Sequence, residues 1–284
     1  METGVESVGF KLSGEQFERF RQLVHARSGI ALRPEKAQLV CSRLARRLRA
    51  LGLGDFDAYY ARVTEDASGV ELEQLLNAIT TNKTSFFREE HHFDVLRTRV
   101  LAPLVASGAR KLRVWSAGCS TGEEPYSLAI TACEAIPDWE RADVRILASD
   151  IDSQVLAIGE RGVYAAEKLE GIPDAQRRRW FIEGTGDKQG LVRVRGVLRR
   201  LVSFRQINFV APDWPIHARF DAVFCRNALI YFDIATQKRV VARLLEYLAP
   251  GGLLCLGHSE SLAGVHPALR SLGRTAYAYE GAKR

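Results

Sequence analysis

Cysteine is scarce and scattered in this chain of 284 residues: Cys41, Cys119, Cys133, Cys225 and Cys255 are odd in number, and no two stand in a CxxC spacing. That pattern encodes neither a disulfide framework nor a zinc site, and no HExxH occurs to bind a metal from a helix. No metal ligand set is expected. Long apolar runs are missing too, since no window of about 18 residues is continuously apolar, so no bilayer-spanning helix is expected. The opening METGVESVGFKLSGEQ has no basic patch followed by an apolar core, which speaks against a secretory leader; the cytoplasm is the expected compartment. Charge of one sign is in short supply as well. Forty Lys and Arg against 34 Asp and Glu leave +6, too little and too dispersed to point to nucleic acid. What remains, 46% hydrophobic and 26% charged residues, is an ordinary globular composition, and the length suits two domains or one large domain with an appendage.

Residues 12–96 read as helical, with no alternating strand pattern. Ser13 can cap a helix in which Phe17, Phe20 and Val24 recur at three and four residues, and Gly29 ends it. A second helix is predicted over 34–51, with Val40, Leu44, Leu48 and Leu51 on one face and Arg43, Arg46, Arg47 and Arg49 on another. Two more follow over 56–63 and 70–79. The unit is a small all-α domain, 1–96, and the segment 97–111 is the expected joint.

After residue 111 the texture changes. LRVWSAG (112–118), VRILASD (144–150), FDAVFCRN (220–227) and GGLLCLG (251–257) are short apolar runs that alternate with helical patterns. That rhythm predicts a mainly parallel sheet covered by helices over 112–284. The stretch from about 162 to 202 interrupts it with a basic helix-like piece, DAQRRRWF (174–181), and then GLVRVRGVLRRLVSF, whose alternation predicts short antiparallel strands. It reads as an inserted β-subdomain.

The first predicted strand feeds a turn from Gly118 to Gly122 and a helix opening Glu123-Glu124-Pro125. Glycines let a ligand approach the backbone, and proline is tolerated in a first helical turn. The spacing is GxxxG rather than the pyrophosphate-binding GxGxxG, and two carboxylates at this point would repel phosphate but favour an ammonium group. The second strand ends in Ser149-Asp150-Ile151-Asp152, where an acid of this architecture hydrogen-bonds ribose hydroxyls. Asp150 can equally cap the helix that follows. A ligand with a ribose, no phosphate and a cationic zwitterionic tail is S-adenosylmethionine.

Five strings in order, TTNKTSFFRE (80–89), WSAGCSTGEEPYSLAI (115–130), ASDID (148–152), FDAVFCRNALIYFD (220–233) and PGGLLCLGHSESL (250–262), closely resemble the CheR-type chemotaxis receptor methyltransferases. The resemblance covers nearly the whole chain. It implies a Rossmann-like S-adenosylmethionine-dependent methyltransferase domain with an inserted antiparallel β-subdomain, preceded by a small all-α domain. It also implies methyl transfer to glutamate side chains on the cytoplasmic helices of chemoreceptors, giving methyl esters and S-adenosylhomocysteine. By the same resemblance Asn82, Thr84 and Arg88 contact the cofactor from the interdomain segment, and Gly118 opens the turn beneath it. Glu123 takes its amino group, although the register leaves Glu124 open. Asp150 takes the ribose, Asn208 and Phe209 flank the adenine, and Arg226 and Asn227 line the site.

A sulfonium methyl is already electrophilic, and a glutamate is ionised at neutral pH, so the task left is alignment in a desolvated site. Arg88 and Tyr231 are the candidates for orienting the incoming carboxylate. Arg88 can instead hold the carboxylate of the cofactor, and Tyr231 can be a core aromatic. Arg43, Arg46 and Arg47 are expected to receive a glutamate-rich receptor helix, the alternative being a solvated face. The β-subdomain is a candidate dock for a receptor C-terminal peptide by strand addition. His91 and His92 read as structural, because adjacent helical residues do not share a face for chelation. His258 reads as a turn residue, and Cys119 and Cys225 as packing residues. A monomer is expected. Competing classes are a non-catalytic cofactor-binding sensor or adaptor and a nucleic-acid methyltransferase, the latter opposed by CRNALIYF where an NPPY-like motif would stand.

Overall fold

The computed structural model describes residues 5–7, 9–260 and 266–281; residues 1–4 and Val8 of the opening segment and Ser261 and Leu262 of the last quoted string lie outside that range. The N-terminal unit begins with an antiparallel hairpin, β1 (Val5–Ser7) and β2 (Phe10–Leu12). Four helices follow: α1 (Gly14–Ser28), α2 (Ala37–Leu51), α3 (Phe56–Glu65) and α4 (Val70–Ile79). Ser13 caps α1 in a reciprocal capping box with Gln16, and Gly29 ends it at φ 74°. The expected 34–51 helix starts as a tighter 3₁₀ turn over Pro34–Lys36 before α2 proper. Phe20, Val24, Leu44, Leu48, Tyr59 and Leu75 form the buried core of the unit. The hairpin departs from the all-helical reading, its three-residue strands being too short to show a period.

The expected joint at 97–111 is largely helical. Helix α5 (His91–Leu96) runs through a π-helical turn, Arg97–Leu101, into α6 (Ala102–Ala106). Phe93, Leu96 and Leu101 are fully buried against the sheet that follows, so this helix packs as part of the second unit.

That unit runs β3 (Lys111–Ala117), α7 (Glu123–Ala135), β4 (Asp143–Asp150), α8 (Ser153–Arg161), β5 (Val163–Ala165), α9 (Asp174–Trp180), β6 (Phe181–Glu183), β7 (Leu191–Val194), α10 (Gly196–Arg199), β8 (Val202–Gln206), β9 (Phe220–Cys225), α11 (Ile234–Glu246), β10 (Leu248–Leu256), β11 (Leu269–Gly273) and β12 (Ala276–Tyr279). The seven-stranded sheet has the order β11-β12-β10-β9-β3-β4-β8, parallel from β10 to β8 and antiparallel at β12 and β11. Both faces are covered: Leu112 and Val114 of β3 enter one core, Trp115 and Ala117 the other. The inserted subdomain is a three-stranded antiparallel sheet, β5-β7-β6. The last part of the alternating stretch behaves differently from expectation, because β8 leaves the insertion and joins β4 as a parallel edge strand of the main sheet. The chain builds outward from β3 through β4 to β8, then returns to the other side of β3 with β9. A crevice therefore opens at the carboxyl ends of β3, β4 and β9, where ligands of open α/β sheets bind.

Candidate functional site

That crevice is a cleft of about 570 Å³, roofed by the helical unit and the segment joining it to the sheet. Its floor is the turn after β3. Gly118 and Cys119 donate their N–H groups to the carbonyl of Ser149 at 2.8 and 2.9 Å, which clamps the turn to the tip of β4. Gly118 has φ 90°, and a Cβ there would lie 2.9 Å from that of Ala228, so glycine is required. Asp150 lines the cleft, with Oδ2 accepting from Ser120 N at 2.8 Å and Oδ1 from Asp152 N at 3.1 Å. Burial pushes its pKa up, and these backbone donors oppose the shift. The helix cap for which Asp150 was also a candidate belongs to Asp152, which accepts from Gln154 N and Val155 N.

The two glutamates that open α7 part company, because neighbouring residues on a helix point about 100° apart. Glu124 lines the cleft, accepting from Ser116 Oγ at 2.6 Å and from Arg226 Nη1 at 3.2 Å. Glu123 is 0% exposed and lies outside the cleft, accepting from Thr121 Oγ1 at 2.6 Å and from Lys168 Nζ at 3.1 Å. The structure thus brings Glu124, and not the expected Glu123, to the wall of the cleft. Burial raises the pKa of Glu124, against the pull of Arg226.

Asn82, Thr84 and Arg88 all line the cleft from the roof. Asn82 Nδ2 donates to Asp152 Oδ2 at 2.7 Å and Arg88 Nη1 to the carbonyl of Lys83 at 2.9 Å. The far wall carries Arg226, Asn227 and Tyr231. Arg226 is buried between Glu124 and Glu89, 3.2 and 3.4 Å away, and donates to the carbonyl of Arg88. Asn227 takes the left-handed conformation at φ 58°, as does Ser120 at φ 49° in the turn after β3; backbone strain of this kind gathers at functional sites. Tyr231 donates its hydroxyl to the carbonyl of Thr81 at 3.2 Å, and burial raises its pKa. Phe209 and Asn208 line the opposite end. The Asn208 side chain is engaged, donating to Arg27 O at 2.6 Å and accepting from Val210 N.

The three α2 arginines expected to receive a receptor helix meet different fates. Arg43 reaches the cleft and, through Nη1, caps the carbonyl end of α4, donating to Ala78, Ile79 and Thr80 at 3.2, 2.6 and 2.6 Å. Arg47, expected to receive a receptor helix, instead forms a bidentate pair within the protein, with the buried Glu71 at 2.7 and 2.6 Å. Arg46 is exposed.

Sequence reasoning missed Glu260. Its buried carboxylate accepts from Gly257 N, Asn227 N and Ile230 N at 2.6, 2.8 and 3.0 Å, and so shapes the loop of the far wall. It also parted His91 and His92, whereas their Nε2 atoms converge on the carbonyl of Arg274 and come with Glu89 into one cluster within 4.8 Å. Burial lowers the His92 pKa to about 4, which leaves the ring neutral, and Glu89 is already balanced by Arg226. Cys119 and Cys225 are buried thiols whose pKa burial pushes well up, as suits packing residues.

The donor set fits an adenosine with a charged amino-acid tail. Asp150 and Glu124 offer acceptors to hydroxyls and an ammonium, while Ile151, Ile207 and Phe209 offer an apolar berth for a purine. A parallel sheet with a glycine turn after its first strand and an acid at the tip of its second defines the class, a Rossmann-like nucleoside-cofactor domain. Residues 82–278 match the family model of the CheR methyltransferase SAM-binding domain, and residues 15–80 that of the CheR methyltransferase all-alpha domain. The chain is 46% identical over 268 residues to chemotaxis protein methyltransferase 2 of Pseudomonas aeruginosa, covering 94% of each. It is 45% identical to a chemotaxis protein methyltransferase of Klebsiella aerogenes, over 94% of this chain and 90% of that one. The chemotaxis protein methyltransferase of Escherichia coli is 41% identical over 94% and 91%. The chain belongs to the CheR methyltransferase family, whose cofactor is S-adenosylmethionine. Among the described residues no helix is long and apolar enough to cross a membrane.

Proposed function

We propose that this methyltransferase acts on glutamate side chains in the cytoplasmic helical region of chemoreceptors, working in the cytoplasm and forming methyl esters. The observation that carries the reading is the meeting, in one cleft, of an acidic floor with an arginine-bearing roof: Asp150 and Glu124 below, Arg43 and Arg88 above. The floor complements the hydroxyls and ammonium of a nucleoside amino acid, and the roof complements an incoming carboxylate.

S-adenosylmethionine, when bound, supplies an electrophilic methyl group. The chain's own residues then have three tasks. Asp150 and Glu124 would hold the donor at its hydroxyls and ammonium, Phe209 would offer the base an apolar face, and Gly118 would leave room at the backbone. Arg88 and Tyr231 orient the acceptor carboxylate; the guanidinium attracts it, and the phenol fixes the edge of the roof through Thr81. The roof itself excludes water, which favours a transition state in which opposite charges are being neutralised. Arg46 on the outer face of α2 attracts the acidic receptor helix before the acceptor enters.

The test is transfer from methyl-labelled S-adenosylmethionine to a chemoreceptor cytoplasmic fragment. The expected product releases its label as methanol in mild base. Label that stays on the protein in base would place the methyl on nitrogen or carbon and overturn the carboxylate reading.

A further inference from the structure

Asp152 lies two residues beyond the ribose-side acid and is 2% exposed. Its carboxylate is divided between two tasks. Oδ1 caps α8, accepting from Gln154 N at 2.9 Å and Val155 N at 3.3 Å. Oδ2 faces the interdomain segment, accepting from Thr80 Oγ1 at 2.6 Å and Asn82 Nδ2 at 2.7 Å. Its backbone N–H meanwhile donates to Asp150 Oδ1. One residue thus ties the floor of the cleft, the start of a helix and the roof together.

The chemistry of this contact sets the orientation of Asn82. A carboxylate has acceptors only, so the amide must turn its NH₂ toward Asp152. The two amide hydrogens go to Asp152 Oδ2 and to Thr80 Oγ1, the latter at 3.2 Å. What the side chain has left for a molecule in the cleft is its carbonyl oxygen. We infer that Asp152 is a positioning residue for methyl transfer: it holds Asn82 so that an acceptor, not a donor, is presented to the hydroxyls or ammonium of the cofactor, and it pins the roof across the strand tips. This rests on the cofactor reading above and names a residue and an orientation that reading does not contain.

Asp152→Asn separates the two tasks. Asparagine caps helices as well as aspartate, so Oδ1 keeps α8 while the new NH₂ confronts that of Asn82 and drives it to flip. The expected result is a melting temperature within about 2 °C of the parent. S-adenosylhomocysteine affinity should fall about tenfold, the loss of one well-placed polar contact, with a matching rise in KM for S-adenosylmethionine and a smaller change in kcat. Asn82→Ala should lose a similar factor. In the Asn82→Ala background, Asp152→Asn should cost less than about twofold more, because the two act through one another. Losses that multiply in the double variant, or an Asp152→Asn chain that binds like the parent, would overturn the assignment alone. A parent chain that binds no S-adenosylhomocysteine would overturn the cofactor reading itself. Should Asp152→Asn fail to fold, its role is structural only if Asn82→Ala also leaves affinity unchanged, and that result too defeats the proposal.

Discussion

The basic face of α2 and the acidic tips of β3 and β4 look alike in the sequence, each a small cluster of one sign, and they end in opposite circumstances. On α2 the positive groups are mostly engaged within the protein: Arg43 on the carbonyl end of α4, Arg47 on Glu71. Past the strand tips Asp150 is buried and Glu124, in the first turn of α7, is partly buried, yet both face a cavity, with Asp150 held by backbone N–H groups and Glu124 by a serine and an arginine. The difference lies in what surrounds each element. A helix in a bundle has helix ends and acidic neighbours within reach of a long side chain. Strand tips in a parallel sheet open on a crevice that the fold leaves for a ligand.

Breaking the acidic side should have the largest effect. Asp150→Ala removes the proposed anchor for the ribose, and a charge-assisted contact of about 2–3 kcal/mol corresponds to a loss of roughly 30- to 150-fold in S-adenosylhomocysteine affinity by calorimetry. Unchanged affinity would remove Asp150 from the ribose. Arg47→Ala comes next, but on a different scale. It strands the buried Glu71 without its partner, and because Arg47 is itself partly exposed we expect about 2 kcal/mol of destabilisation, a fall of about 4–8 °C in melting temperature. Affinity for the receptor should stay put. A receptor-binding defect with no thermal shift would return Arg47 to the docking face.

The two glutamates of α7 offer a sharper version of the same contrast. Glu124→Gln should weaken S-adenosylhomocysteine by about tenfold, whereas Glu123→Gln should change it less than twofold, since its partners Thr121 and Lys168 stand outside the cleft. The reverse ranking would restore the original register.

This pair also shows where sequence reading reaches its limit. The strands, the glycine turn and the acid at the tip of β4 were legible because buried parallel strands are continuous apolar runs that stop abruptly. Residues 118, 150 and 226–227 sit at those stops. Which of two adjacent acids faces the cleft depends on how α7 rolls against β3 and β4, and no local pattern encodes that rotation. Arg47 and Glu71 are 24 residues apart, and Glu260 reaches back 33 to Asn227, so both contacts exist only once helices and strands have packed. Asp152 hid behind Asp150 for a related reason: two acids in one short string each have a helix start and a cleft within reach, and only the placement of Asn82 and Thr80 separates their roles.

The smallest expected effect probes the part of α2 that still faces solvent. Arg46 is exposed, so Arg46→Ala should leave the melting temperature within about 1 °C. The contribution to receptor methylation proposed for it is steering, which acts over distances comparable with the Debye length of about 10 Å at 0.1 M salt. The rise in KM for the receptor should therefore be about two- to fivefold at low ionic strength and vanish as salt approaches 0.5 M, while kcat and cofactor affinity hold constant. A KM effect that persisted in high salt would mean that Arg46 makes a desolvated contact in the complex. No effect at any salt would mean that the solvent-facing side of α2 is only a solvated helix, and that attraction of the receptor rests on the cleft rim at Arg43 and Arg88.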